Sequence, residues 1–370
     1  MRVLVTGGAG LIGSHTVDAL LARGHAVRIL DSLELPTHTA GRPTYLAPEA
    51  EFIQADVRDR AAVRSALQGI DAVVHLAATG GFTPRLAEYM SVNSVGTAQL
   101  LELIRDERLP VRKIVVASSI AVYGESQYRC AEHGVFKAGL RPVERLARGQ
   151  WEMPCPVCQA PAQPLPTSES TPVDPATAYA ISKYDQERMV LVFGRDTGIP
   201  TVALRYFVTY GPRQSLHNPY TGVCTIFASR VANGLPMVIY EDGLQSRDFI
   251  FVKDVARANV FVLEQESANH QVFNVGTGQS TSMLALAETL KRCLGGAAVM
   301  EKPGKFRPAD VRHMVADTSR LQRLGYRAET SLEDGLRQYV AWLREQGPLP
   351  EYFSRAQAEL QAAGVVRSVR

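Results

Sequence analysis

Tyr179 and Lys183 stand four residues apart in Tyr179-Ala180-Ile181-Ser182-Lys183, a spacing that puts both side chains on one face of a helix. A free phenol titrates near pH ~10, so it is a poor base at neutral pH unless a nearby cation favours the phenolate. Lys183 is that cation by its spacing. Ser119, in Ser118-Ser119-Ile120-Ala121-Val122-Tyr123-Gly124, closes an apolar run and can donate to the same substrate oxygen. Together the three read as a set that moves a proton at a hydroxyl oxygen. Taken alone, the Tyr-Lys pair is also what a surface helix shows when its Tyr packs and its Lys is solvated.

Two further groups carry chemistry. Cys130-x-x-His133 and Cys155-Pro156-Val157-Cys158 are two pairs of metal-ligand type with 21 residues between them, which fits a closed tetrahedral zinc site. The bland alternative is a loop whose cysteines merely pack. Near the start, Gly7-Gly8-Ala9-Gly10-Leu11-Ile12-Gly13 follows the apolar run Val3–Thr6. Glycine lets backbone approach a pyrophosphate, whose charge a following helix N-terminus favours. Asp31 stands 18 residues after Gly13, at the end of the next apolar run, where a carboxylate suits free ribose hydroxyls and repels a 2′-phosphate. This predicts NAD rather than NADP. Asp56-Val57 would flank the adenine, and Ala77-Ala78 would line the pyrophosphate path.

These groups need a frame. Short apolar runs at Arg2–Thr6, His25–Leu30, Glu51–Gln54, Ala72–Leu76, Lys113–Ala117 and Thr201–Leu204 read as buried strands. Helical patterns at Ser14–Arg23, Arg60–Leu67, Asn93–Arg105 and Ala178–Arg195 alternate with them. Such alternation predicts an α/β fold, a Rossmann-type doubly wound parallel sheet. Residues 1–204 are expected to form the dinucleotide-binding domain, interrupted by the cysteine-bearing insertion 125–170. Residues 205–370 would form mostly a smaller substrate-binding lobe, with 249–275 returning to the sheet. Helices are expected near Ser282–Cys293 and Ser331–Glu345.

The 54 residues between Gly124 and Tyr179 read as a long loop without regular structure, whose ordering entropy a metal would offset. Cys224 and Cys293 read as apolar packers, His75 as a satisfied core histidine, and Asn93 as a helix-start residue. The balance of 40 Lys+Arg against 37 Asp+Glu contains no basic face, which argues against nucleic acid as a partner. No run of about 18 apolar residues and no leader pattern occur, so the expectation is a cytoplasmic protein with no membrane partner.

With those residues assembled, the chain resembles the extended short-chain dehydrogenase/reductase family of nucleotide-sugar epimerases and dehydratases. The resemblance rests on Thr6–Gly13, Ser118–Gly124 and Tyr179–Lys183. Leu204–Phe207, Tyr210–Gln214, Glu241–Gly243, Arg247–Ile250 and Asn274–Gly276 extend it over nearly the whole chain. It implies bound NAD, with Ser119, Tyr179 and Lys183 as the catalytic set and Tyr179 and Lys183 also touching the cofactor. It implies that Arg247 and Arg307 hold a nucleotide diphosphate, although either could be a surface ion-pair former. It also implies a homodimer formed by the helices Asn93–Arg105 and Ala178–Arg195, with Leu100, Leu101, Leu103, Met189, Leu191 and Val192 compatible with the interface.

Dehydratases of this kind carry an acidic pair directly after the serine position, because eliminating water needs an acid and a base. Here those positions are Ile120 and Ala121, which favours epimerisation. The stretches Gln214–Val223 and Glu241–Phe249 look most similar to the dTDP-L-rhamnose 4-epimerase group, which points to C4 of a 6-deoxy-hexose. One departure is Val208, where the family usually has Asn. Decarboxylation of a nucleotide-linked uronic acid and a non-catalytic NAD sensor are the competing readings.

Overall fold

The computed structural model describes residues 1–80, 86–218, 222–295 and 298–369. Pro219, Tyr220 and Thr221, part of the stretch Gln214–Val223, lie outside the described residues. Seven parallel strands form the main sheet in the order Gln271–Val275, Thr201–Tyr206, Lys113–Ser119, Ala72–His75, Arg2–Thr6, Ala26–Asp31, Glu51–Gln54. The strand order reverses between Arg2–Thr6 and Ala72–His75, and a ligand crevice opens beyond the carboxyl ends at such a reversal. Thr6, His75 and Ser119 all stand at those ends.

Alternation along each strand feeds two apolar layers. Val3, Val5, Val115 and Ala117 point into one, which the helices Leu11–Ala22 and Val252–Glu264 cover. Leu4, Ile114 and Val116 point into the other, closed by Arg60–Leu67, Gly96–Asp106 and Ala178–Thr197. Leu100, Leu101 and Leu103 are buried in that second layer. They are committed to this chain's own core, and the sequence expectation that they face a partner is corrected accordingly.

A third apolar cluster lies off the sheet, around Phe227, Leu290 and Tyr339 on the helices Val223–Ala232, Met283–Leu294 and Leu332–Glu345, with Phe251 from the strand Phe249–Phe251. Cys224 and Cys293 pack there. Within 249–275, Gln271–Val275 joins the main sheet, whereas Phe249–Phe251 pairs with Val208–Tyr210 outside it.

The insertion is not the structureless loop its sequence suggests. Gln127–Cys130 pairs antiparallel with Gly134–Lys137 and with Gln163–Pro164, and Val143–Leu146 makes one helical turn. Its base is pinched. Asp174 N–H donates to Val122 O at 2.9 Å, and a Cβ on Gly124, whose φ is +63°, would lie 2.3 Å from Asp174 O. Only glycine fits that neck. No helix among the described residues is long and apolar enough to cross a membrane.

Candidate active site

The glycine turn is shaped by close approach. A Cβ on Gly13 would sit 2.0 Å from Gly7 O, and one on Gly7, at φ +67°, would sit 2.8 Å from Ala77 N. Gly10 caps the helix Leu11–Ala22 with no side-chain bond and no acidic residue follows in its first turn, so no side chain of this turn competes with an anion for its leading N–H groups. Asp31 ends the second strand, nearly buried, with Oδ2 accepting Ala9 N–H and Oδ1 accepting Leu33 N–H, both at 2.9 Å. Tyr45 donates to Ala9 O at 2.7 Å. The loop is thereby fixed from two sides, and this Cβ-free cradle with its carboxylate fits a dinucleotide.

Asp56 is held by Arg58 at 2.6 Å, which draws its carboxyl below the usual range. Val57 is buried against Gly96. Ala77 N–H donates to Thr6 Oγ1 at 3.2 Å, and Ala78 is exposed.

Ser119 closes its strand and its Oγ accepts Ala121 N–H at 3.2 Å, capping the turn Ile120–Tyr123. Tyr179 sits in the first turn of Ala178–Thr197, whose N-cap Thr177 accepts from Ala180 N–H. Burial raises the phenol's pKa above its ordinary value, aided by Tyr89, against a partial downward pull from Ser119. The Tyr89 ring lies 5.9 Å from that of Tyr179.

Lys183 is one turn on, buried, and burial pushes it down to about 7 against a partial upward pull from Glu187. Its ammonium does not turn to the phenol. It donates to Gln186 Oε1 at 2.6 Å.

That bond begins a buried network that the sequence reading missed. Gln186 Nε2 donates to Thr97 Oγ1 at 2.8 Å, Thr97 stands 2.8 Å from His75 Nε2, and His75 Nδ1 is 2.7 Å from Thr6 Oγ1. His75, fully buried, is pushed down to about 3 and is neutral, a satisfied core histidine as its sequence position suggested. Asn93 differs from expectation. It lies within a π-helical turn, Met90–Val95, and clamps both the N–H and the C=O of Thr79 while donating to Ser182 Oγ. Periodicity gives no sign of such a turn. Glu187, fully buried, receives Arg205 at 2.5 Å and Ser118 Oγ at 2.6 Å. Its spacing of i+4 from Lys183 was the legible clue.

Arg247 is desolvated, which lowers its pKa, and its three hydrogen bonds all go to backbone carbonyls, of Ser246, Val311 and Arg312. Among the described ion pairs none involves it. Arg307 instead pairs with Asp310 at 3.0 Å and lies 5.3 Å over the Tyr240 ring, the ion-pair role its sequence also allowed. The Cys130, His133, Cys155 and Cys158 ligand atoms converge within 4.8 Å of one another.

The comparisons with known proteins agree with this arrangement. The NAD dependent epimerase/dehydratase family model matches residues 3–142 and 156–276, a match broken inside the insertion. A dTDP-L-rhamnose 4-epimerase of Burkholderia thailandensis is 34% identical over 93% of this chain and 95% of its own. The crystal structure of a Thermus thermophilus UDP-glucose 4-epimerase complexed with NAD matches with TM-score 0.74 and 31% identity, covering 94% of this chain and all of that one (100%). A Thermotoga maritima UDP-glucose 4-epimerase with UDP-glucose matches with TM-score 0.74 and 30% identity, covering 93% and 99%. The chain therefore belongs to the NAD-dependent epimerase/dehydratase family and is an enzyme, a nucleotide-sugar epimerase.

Proposed function

We propose that the enzyme inverts C4 of a nucleoside-diphosphate 6-deoxy-hexose of the dTDP-L-rhamnose type, through a 4-keto sugar. The observation that carries this reading is Ser119, at the carboxyl end of its strand, acting on the phenol of Tyr179 at the start of the helix Ala178–Thr197, with Ile120 and Ala121 where elimination would need an acid and a base. The choice of sugar is supported by the Burkholderia relative and by the stretch Glu241–Phe249.

In this reading Gly7, Gly10, Leu11, Ile12, Gly13, Asp31, Ala77 and Ala78 cradle NAD, which when bound supplies the hydride acceptor and donor. Asp56 and Val57 flank its adenine. Ser119 donates to the sugar's 4-oxygen and holds it against the phenol. Tyr179 takes the hydroxyl proton from that oxygen and returns it after the sugar has turned its other face. Lys183, half-charged near neutrality, supplies positive potential on the same helical face. Arg247, hydrogen-bonded only to carbonyls and in none of the described ion pairs, suits the substrate's diphosphate, and Arg307 would join it after release from Asp310.

We also read the enzyme as a homodimer. With Leu100, Leu101 and Leu103 inside the core and Met189 and Leu191 partly buried against the same layer, the exposed apolar residues here are Ile181 and Val95, with Val192 half-buried.

The test is incubation with NAD and, separately, dTDP-L-rhamnose, UDP-glucose and a UDP-uronic acid, with products read by proton NMR. Inversion at C4 of the first is expected. Carbon dioxide release from the uronic acid, or a 4-keto-6-deoxy product, would overturn the proposal.

A further inference from the structure

The insertion holds a cluster that the Ser119–Tyr179 site does not use. Its own apolar core is small, with Tyr128, Ala138, Met153 and Ala162 buried and Phe136 against them. A unit of this size does not hold itself together by so few side chains and calls for a staple. Cys130 and His133 lie on the hairpin between Gln127–Cys130 and Gly134–Lys137, and Cys155 and Cys158 lie on a second turn closed by Cys155 N–H to Ala160 O at 2.8 Å.

The separations discriminate between chemistries. Cys130 Sγ is 3.6 Å from Cys158 Sγ and 3.6 Å from His133 Nδ1, and Cys155 Sγ is 3.7 Å from His133 Nδ1. A disulfide needs about 2.05 Å between sulfurs. Tetrahedral bonds of about 2.3 Å to sulfur and 2.0–2.1 Å to nitrogen give edges of about 3.8 Å between sulfurs and about 3.5 Å from sulfur to nitrogen. These three edges match those of a tetrahedron around one ion, and all four ligand atoms lie within 4.8 Å of one another. Val157 N–H also points at Cys155 Sγ, 3.4 Å away, as suits a thiolate.

We propose that Cys130, His133, Cys155 and Cys158 bind one zinc ion in a closed S₃N site, and that this ion holds the insertion where it braces Arg247. The path is short. Three residues before Cys155, Glu152 accepts from Arg312 at 2.5 Å and from His313 at 3.2 Å. Arg141, also from the insertion, is buried against Glu241 at 2.7 Å and donates to Asp310 O. Glu125 accepts Arg312 N–H at 2.7 Å. The carbonyls of Val311 and Arg312 are two of the three that hold the Arg247 guanidinium. The metal therefore acts on substrate holding, with no open coordination position for chemistry.

The bracing role rests on Arg247 meeting the diphosphate; the metal itself does not. Elemental analysis of untagged protein should find about one zinc per chain, absent after changing Cys155 and Cys158 to Ser. Cobalt exchanged into the site should give the intense visible bands of a tetrahedral thiolate complex. Titration with dTDP and, separately, NAD should show dTDP affinity weakened about ten-fold in the double variant and in Glu152→Gln, with NAD affinity unchanged. Glu152→Gln keeps all four ligands and should retain zinc even if the double variant fails to fold. Protein without zinc, protein holding iron instead, or a six-coordinate cobalt spectrum would overturn the site. Zinc present with unaltered dTDP affinity in Glu152→Gln would overturn the brace. Failure of wild-type protein to bind dTDP would overturn the brace through the functional reading and leave the metal measurements standing.

Discussion

Replacing Lys183 by Met should abolish a pH dependence of stability that the native chain carries above neutrality. Burial lowers this lysine from 10.5 to about 7 in the folded chain. Between those values the unfolded chain binds more protons than the folded one, so native stability rises with pH and levels off once both states are neutral. At pH 7 the difference opposes folding by about 4 kcal/mol, and at pH 9 by about 2 kcal/mol. Methionine fills similar volume with nothing to titrate, but it leaves Gln186 Oε1 without its donor, at a pH-independent cost of about 1–3 kcal/mol. The slope is therefore the observable, and the absolute stability is not. Urea unfolding of both proteins at pH 7, 8 and 9 should show the native chain gaining about 2 kcal/mol relative to the variant over that interval. Parallel curves would mean that the ammonium is well solvated in the folded state, and the argument from burial would fail.

Four other outcomes are expected. Tyr179→Phe should fold and bind NAD but lose turnover by about 10²–10⁴, measured as epimerised product by NMR. NAD should bind more tightly than NADP in calorimetry, and Asp31→Asn should narrow the difference; equal affinities in the native protein would remove Asp31 from ribose recognition. Arg247→Met should raise KM for the nucleotide sugar with kcat little altered, since a group that grips the diphosphate equally in ground and transition states moves KM alone. Ile181→Glu should turn a dimer into a monomer by light scattering at micromolar concentration, whereas a monomeric native protein would refute the interface.

How much could be read in advance depends on what enforces each element. The inner sheet strands were legible because burial on both faces demands unbroken apolar runs, so Arg2–Thr6 appears in the structure with the bounds its sequence implied. The glycine turn was legible because sterics at Gly7 and Gly13 admit nothing larger. The side of the helix that Leu100, Leu101 and Leu103 occupy was not, because an apolar face has the same periodicity whether it meets its own sheet or another chain. The insertion's strands escaped because Gln163–Pro164 and Gly134–Lys137 are short and partly exposed, with no alternation to betray them. The Lys183–Gln186–Thr97–His75 network escaped for a different reason. Its members come from three elements far apart in sequence, and only tertiary packing makes them neighbours.

The pinched neck at Gly124 and Asp174 has a consequence for how such a chain can change over generations. Because the segment leaves and re-enters at one point, its length sets neither the separation nor the orientation of Ser119 and Tyr179. Whole modules can be grafted, trimmed or exchanged there without disturbing the strand and helix that carry those residues. The module's buried charges limit the exchange, Arg141 against Glu241 among them. Arg312 is fully buried, and Glu152 supplies part of its counter-charge from within the module. A replacement must bring an equivalent carboxylate or be accompanied by a change at position 312, so the two sites are expected to vary together in descendants of this architecture.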